Sequence, residues 1–347
     1  MSEPKTVKLG AAVIDSPTLS PPPLLAVRDL VKHFPIRKGL FSQVTGRVHA
    51  VDGVNFEIAE GETLGLVGES GCGKSTTGKA ILRLTPTTSG SIAWRGEAIE
   101  DYNATQMRPV RRELQAVFQD PYASLNPRLR AADIVAEPIR NYETVSERDI
   151  KERVAELFAK VGLRADQLIK YPYEFSGGQR QRLGIARALA MGPKLIVCDE
   201  PVSALDVSVQ AQVINLLTDL QAEMGLAYLF IAHDLAVVEH ICHRVAVMYL
   251  GKIVEIADKK SLYATPRHPY TEALLSAAPV PNPRHQKKRI ILMGDVPSPV
   301  DPPSGCRFHT RCPQAGPRCR IEEPKMKRLT DSFGHQVACH LFEGGVR

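Results

Sequence analysis

The run GESGCGKST, from Gly68 to Thr76, fits the pattern G-x-x-x-x-G-K-[ST] through Gly68, Gly73, Lys74 and Ser75. It follows the apolar run Thr63 to Val67, which reads as a strand. Glycines at 68, 71 and 73 open backbone conformations closed to other residues, so successive N–H groups can converge on phosphate oxygens at a helix N-terminus. The whole loop is therefore read as nucleotide-binding: Gly68, Glu69, Ser70, Gly71, Cys72, Gly73, Lys74, Ser75 and Thr76. Lys74 brings a point charge to the outer phosphates, and the Ser75 hydroxyl is placed to ligate Mg²⁺. A plain turn between strand and helix needs neither the lysine nor the hydroxyl.

The chain around this loop has 347 residues, enough for one large α/β domain with an appendage or for two domains. With 44% hydrophobic and 24% charged residues it reads as soluble and globular. No apolar run reaches about 18 residues, and the start of the chain lacks an apolar core before Pro23, so neither a membrane span nor a secretory signal is expected. A cytoplasmic location is the expectation. The net charge of +6 is uneven: residues 1–265 carry 31 Lys/Arg against 31 Asp/Glu, and residues 266–347 carry 13 against 7. A neutral core argues against nucleic-acid binding, which needs a concentrated basic face.

Residues 1–23, rich in Ser, Thr and Pro, read as a flexible lead-in. Leu24 to Phe34 and Val48 to Ile58 read as strands flanking a polar loop from Lys38 to Arg47. After the phosphate loop come a helix from Thr77 to Leu84, a hairpin from Gly90 to Ile99 and a strand from Leu114 to Gln119. Helical spacing then runs from Ala131 to Val161, with Ile150, Val154, Leu157, Phe158 and Val161 on one face. Ser176 opens a helix predicted over Leu183 to Ala190, and Gly192-Pro193 closes it. Leu195 to Asp199 and Ala227 to Ala232 are continuous apolar runs, as buried parallel strands require, with an amphipathic helix from Val207 to Glu223 between them and a strand from Val245 to Met248 beyond. Alternating strands and helices predict a doubly wound parallel sheet. Ligands sit at the carboxyl ends of such strands, where Gly68, Gln119, Asp199 and His233 all fall. Past residue 265, which holds 12 of the 26 prolines and four of the seven cysteines beyond it, a separate loop-rich appendage is expected.

Asp199 and Glu200 place adjacent carboxylates at a strand end, where one can hold a metal's water shell and the other can polarise an attacking water. Ser176, Gly177, Gly178 and Gln179 supply a hydroxyl N-cap and two glycines at a helix start, a second anion-binding terminus. Taken together, GESGCGKST, the glutamine of VFQDPYASLNP, FSGGQRQR, LIVCDEP, SALD and His233 resemble the nucleotide-binding subunit of an ABC transporter from about Leu24 to Tyr270. The resemblance implies a P-loop ABC ATPase fold: a RecA-like parallel sheet core, an antiparallel β subdomain, a helical insert over about 120–190 and a small Cys-rich C-terminal appendage. It further implies that the loop residues, Lys74 and Ser75 bind ATP and Mg²⁺, that Gln119 senses the γ-phosphate and metal, and that Asp199 partners the Mg²⁺ water shell. Glu200 is then the general base, His233 the γ-phosphate switch and Phe34 the aromatic that stacks on adenine. Ser176 to Gln179 would complete the ATP site of an opposite subunit, with Asp206 along the dimer seam.

Within that family the segments PYASLNP, ALDVSVQAQVINLL, HPYTEALLSAAP and PPSGCRFHTRCP resemble the ATPases of dipeptide/oligopeptide importers, and the Lys38 to Phe41 loop resembles the second of their two non-identical ATPases. This implies a heterodimer with a companion ATPase, two permease subunits and an extracytoplasmic peptide-binding protein, the chain lying peripherally on the cytoplasmic face of the inner membrane. Importers of nickel or other small solutes share this ATPase type, and soluble ABC ATPases that act on ribosomes or DNA are the remaining alternative. Cys306, Cys312, Cys319 and Cys339 have intervals unlike the close pairs of zinc sites, although His309, His335 and His340 offer substitute ligands. A 4Fe-4S cluster, zinc and free thiols stay open on the residues alone. The resemblance favours the cluster.

Overall fold

The computed structural model describes residues 22–39, 42–277, 289–329 and 334–343. Most of the lead-in expected over 1–23, and Leu40 and Phe41 of the loop expected over Lys38 to Phe41, lie outside the described residues.

The first two strands form a long hairpin, β1 (Leu25–Lys38) and β2 (Gln43–Ile58), longer than the sequence suggests. The polar stretch read as a loop from Lys38 to Arg47 is largely strand, because cross-strand hydrogen bonds alone hold it and no apolar face announces it. β3 (Thr63–Val67) enters the phosphate loop, and α1 (Lys74–Ile81) leaves it, starting three residues earlier than the predicted Thr77. β4 (Ser89–Trp94) and β5 (Glu97–Ala98) make the expected hairpin. α2 (Ala104–Glu113), which the sequence reading does not contain, opens on an Asn103–Gln106 capping box. β6 (Leu114–Val117), the single turn α3 (Pro121–Ser124), α4 (Ala131–Tyr142) and α5 (Glu147–Lys160) follow, so the helical stretch is two helices.

α6 (Gly177–Leu189) begins at the glycines of the FSGGQ run, well before the predicted Leu183. Its cap is reciprocal: the Ser176 hydroxyl accepts from Gln179 N, and the Gln179 side chain accepts from Ser176 N. Next come β7 (Leu195–Asp199), α7 (Val207–Met224), β8 (Ala227–Ala232), α8 (Leu235–Ile241), β9 (Arg244–Tyr249) and β10 (Lys252–Asp258), then α9 (Lys259–Ala264), α10 (Pro269–Ala277), α11 (Arg318–Ile321), β11 (Lys327–Arg328) and β12 (Gln336–Val337).

Two sheets result. One is antiparallel, in the order β2-β1-β4-β5, and the other runs β11-β12-β10-β9-β3-β8-β7-β6, parallel from β9 to β6 and antiparallel from β9 to β11. Strand alternation separates two apolar layers. Tyr228, Phe230 and Ala232 of β8 face a layer shared with α4 to α7, whereas Ala227, Leu229 and Ile231 face the layer shared with α1, α2 and the antiparallel sheet. Residues beyond 265 are not set apart from this body. β12 pairs with β10 through Glu255 and Ile256, and Phe308 is buried in the α4-to-α7 layer. The proline- and cysteine-rich composition had suggested separation because it carries no periodicity by which packing is read.

Candidate functional site

Backbone geometry makes the loop before α1 a cradle. Gly68 (φ 154°) and Gly73 (φ 111°) adopt conformations an L side chain rarely takes. A Cβ on Gly68 would lie 2.1 Å from the Met248 carbonyl oxygen, and one on Gly73 would lie 2.0 Å from that of Ala50, so only glycine fits. Lys74, nearly buried, donates to the carbonyls of Gly68 (2.8 Å) and Glu69 (3.1 Å), which holds its ammonium over the loop. Cys72 is buried and packs against Gly68; burial pushes its thiol up, so it serves the loop through its backbone.

At the ends of β7 and β8 the acidic pair meets this cradle. Ser75 Oγ donates to Asp199 Oδ1 at 2.7 Å. Burial pushes the Asp199 carboxyl above its ordinary range, opposed by the Ser75 hydrogen bond and by Lys79 and Lys74. A bound cation at this spot would reverse that direction. Glu200 has φ 47°, unusual for a side chain other than glycine, and its N–H donates to Ile231 O at 2.9 Å. Gln119 Nε2 donates to Glu200 Oε2 at 3.1 Å, and His233 Nδ1 lies 3.2 Å from the same oxygen. Three residues from three separate strand ends thus share one oxygen.

Gln119, Glu200 and His233 line a cleft of about 440 Å³ together with Ser70, Gly71, Gly73, Lys74, Ser75 and Thr76, whereas Asp199, Gly68, Glu69 and Cys72 are not in its lining. Val48, Ala50 and Pro299 close its other wall, and sequence reading missed all three. Val48 and Ala50 are ordinary strand residues; Pro299 arrives from the far end of the chain, its carbonyl accepting from His49 N at 2.8 Å. Phe34 is not in the lining. It stands opposite Val48 in the hairpin register, 39% exposed, with Lys32 Nζ 4.7 Å above its ring. Ser176, Gly177, Gly178 and Gln179 are likewise absent from the cleft, as is Asp206, an exposed carboxylate that leaves the N-terminus of α7 uncapped by any side chain.

The four tail cysteines are part-buried. Burial pushes the Cys306 thiol up to about 11 and Cys339 up to about 12, with the neighbouring cysteines adding to the rise in both. Cys339 therefore lies close enough to Cys306, Cys312 and Cys319 for all three to act on its thiol.

Comparison with known proteins puts the fold among the ATP-binding cassettes, the ATPases of ABC transporters. The ABC transporter family model matches residues 51–203, and a second family, "Oligopeptide/dipeptide transporter, C-terminal region", matches residues 254–319. Among solved structures, the ATP-binding cassette MJ0796, a dimer bound to ADP and Pi, superposes with a TM-score of 0.61 at 27% identity, covering 68% of this chain and 98% of that one. The oligopeptide transport ATP-binding protein AppF of Bacillus subtilis is 54% identical over 92% of this chain and 97% of its own length. The corresponding protein OppF of Salmonella typhimurium is 54% identical, over 91% and 95%. The chain belongs to the family of ABC transporter ATP-binding proteins of the oligopeptide/dipeptide type.

Proposed function

We propose that this chain hydrolyses ATP to drive import of dipeptides or oligopeptides, through two permease subunits fed by an extracytoplasmic binding protein. It would work on the cytoplasmic face of the inner membrane, bound to the permeases, and no described helix is long and apolar enough to cross the bilayer itself. The observation that carries the mechanism is the convergence of Gln119, Glu200 and His233 at one cleft from which the Ser176 to Gln179 terminus is missing.

The loop N–H groups and Lys74 would bind the phosphates, Ser75 and Asp199 would hold Mg²⁺, and Phe34 would meet the adenine across from Val48. Mg²⁺ held there would supply neutralisation of phosphate charge. Glu200 takes the proton of the attacking water, Gln119 orients that water, and His233 reports the γ-phosphate to the same carboxylate. Ser176, Gly177, Gly178 and Gln179 are available for a second ATPase of similar fold, with Asp206 beside them at the seam, so that two non-identical subunits complete each other's sites.

The four tail cysteines are part-buried and Cys339 lies within electrostatic reach of the other three, a donor set that would suit zinc or, as we propose, a 4Fe-4S cluster on Cys306, Cys312, Cys319 and Cys339. Its chemistry there would be structural, holding the loops of the C-terminal region.

The test is purification of the tagged chain from detergent-solubilised native membranes, with its companions identified by mass spectrometry. Two permeases and a second ATPase are expected. Ribosomal or DNA-repair proteins in their place would overturn the transport reading.

A further inference from the structure

Glu69, the second residue of the phosphate loop, is held at three points by groups of different origin. Its carbonyl accepts from Lys74 at 3.1 Å, and its N–H donates to Tyr270 Oη at 2.9 Å. Its carboxylate makes a two-pronged pair with Arg311, Nη1 to Oε2 at 2.7 Å and Nη2 to Oε1 at 3.1 Å. The Arg311 side chain is 8% exposed and that of Glu69 27%, so solvent screens this pair far less than a surface one. Tyr270 and Arg311 both lie past residue 265, in the region that sequence reading set apart from the cassette.

What fixes Arg311 is equally well defined. Phe308, three residues before it, packs edge-on against Tyr249 and at a tilt against Tyr270, with ring centroids 5.2 and 5.4 Å away, and all three rings are buried. The Tyr249 ring lies 6.0 Å from the guanidinium. Cys306 and Cys312 bracket the segment, and Arg307 within it reaches the Leu250 carbonyl and the Asp52 carboxylate. The arginine is therefore built onto a rigid support before it meets the loop.

A carboxylate inside an anion-binding loop needs explanation, since unpaired it repels the phosphates the loop exists to bind. We propose that Arg311 is a positioning residue of the ATP site: it neutralises Glu69 and clamps it, fixing the carbonyls that hold Lys74. The C-terminal region thereby sets the affinity of the phosphate loop for nucleotide, without touching the nucleotide itself.

The inference rests on the ATP-binding reading of the cleft, and the experiment keeps the two apart. Binding of a fluorescent ATP analogue with Mg²⁺ is titrated on the purified full chain, with Lys74→Ala as the control that must lose binding if the cleft is the nucleotide site. Arg311→Met should weaken binding about tenfold, because the stranded carboxylate both repels phosphate and frees the loop. Arg311→Lys, which keeps the charge and loses the fork, should fall between it and the native chain. Glu69→Gln should weaken binding less than Arg311→Met, and in the Glu69→Gln background the Arg311→Met change should cost nothing further. In the assembled transporter the loss should appear in KM for ATP, with kcat at saturating ATP within about twofold of native. Were Arg311→Met too unstable to purify, Arg311→Lys and Glu69→Gln still decide the matter. Binding within twofold of native in both variants, or penalties that multiply in the double variant, would overturn the clamp while leaving the ATP site standing.

Discussion

Lys74 and Glu200 occupy the same cleft but do different work, and substitution separates them. Lys74 is nearly buried with its charge spread over two loop carbonyls, so Lys74→Ala removes the one ammonium of the Gly68–Thr76 loop, the group proposed to meet phosphate, and should abolish both binding and turnover. Glu200→Gln keeps the side chain's shape and its place between Gln119 and His233 but takes away the proposed proton acceptor. Nucleotide binding should stay within about twofold while phosphate release falls by roughly 10² to 10⁴. Phosphate release at the native rate from Glu200→Gln would remove Glu200 from the role of base. The residues of this cleft were legible because phosphate chemistry demands specific types at fixed spacing: glycine where a Cβ meets a carbonyl, lysine, hydroxyl, acid. Pro299 and Arg311 were not. Arg311 meets Glu69 across 242 positions of sequence, and a lone arginine in a basic tail carries no local sign of its partner.

Among the elements, the buried strands read almost to the residue. Leu195–Asp199 and Ala227–Ala232 coincide with their apolar runs because both faces are covered, which leaves no polar alternation to blur the ends. Half-exposed elements read poorly: the outer half of the β1–β2 hairpin and α2 owe their form to pairing and capping rather than to an apolar pattern. α6 lies between these cases. Its first turn is two glycines, poor helix formers, and the turn forms because the Ser176–Gln179 cap is reciprocal and because Gly178 lets α7 approach. A Cβ on Gly178 would sit 2.4 Å from Val209 Cγ1, and that β-branched side chain has little rotamer freedom with which to retreat. Gly178→Ala should therefore cost about 1–3 kcal/mol of stability and tilt the Ser176 terminus out of place. Because that terminus lies outside the chain's own cleft, nucleotide binding by the isolated chain should be unaffected while ATPase activity of the assembled complex falls at least about tenfold. Titration of the isolated chain beside turnover of the complex checks this, and an equal loss in both would mean the terminus serves this chain's own cleft.

At the scale of the whole molecule, the C-terminal region and the cassette are joined by a buried polar knot as well as by the aromatic one. The Glu255 side chain, with no solvent exposure, accepts from Arg267 N (2.7 Å), His268 N (2.9 Å) and His335 Nε2 (2.7 Å), which brings β10, the start of α10 and the segment before β12 to one carboxylate. His268 is 1% exposed, and its Nδ1 accepts from Tyr270 N at 3.1 Å, capping the helix that carries the Tyr270 hydroxyl to Glu69. Burial pushes the His268 imidazole down to about 4, only partly offset by Glu255, and Glu272 nearby is pushed up by its own burial and by Glu255. Between the ordinary histidine value of 6.5 and about 4 the ring is protonated in the unfolded chain and neutral in the folded one, so the unfolded state binds more protons and stability falls as pH falls through that window. From pH 7 to pH 5 this single group should cost about 2 kcal/mol. His268→Asn removes the titrating ring, and the asparagine carbonyl can still accept from Tyr270 N as a helix cap. Other groups titrate over the same range, so the measurement is the difference: thermal unfolding of both proteins at pH 7 and pH 5, in which the asparagine variant should lose less stability on acidification than the native chain. Equal losses would mean that His268 is not neutral in the fold, and that the junction between tail and cassette carries a charge its surroundings do not explain.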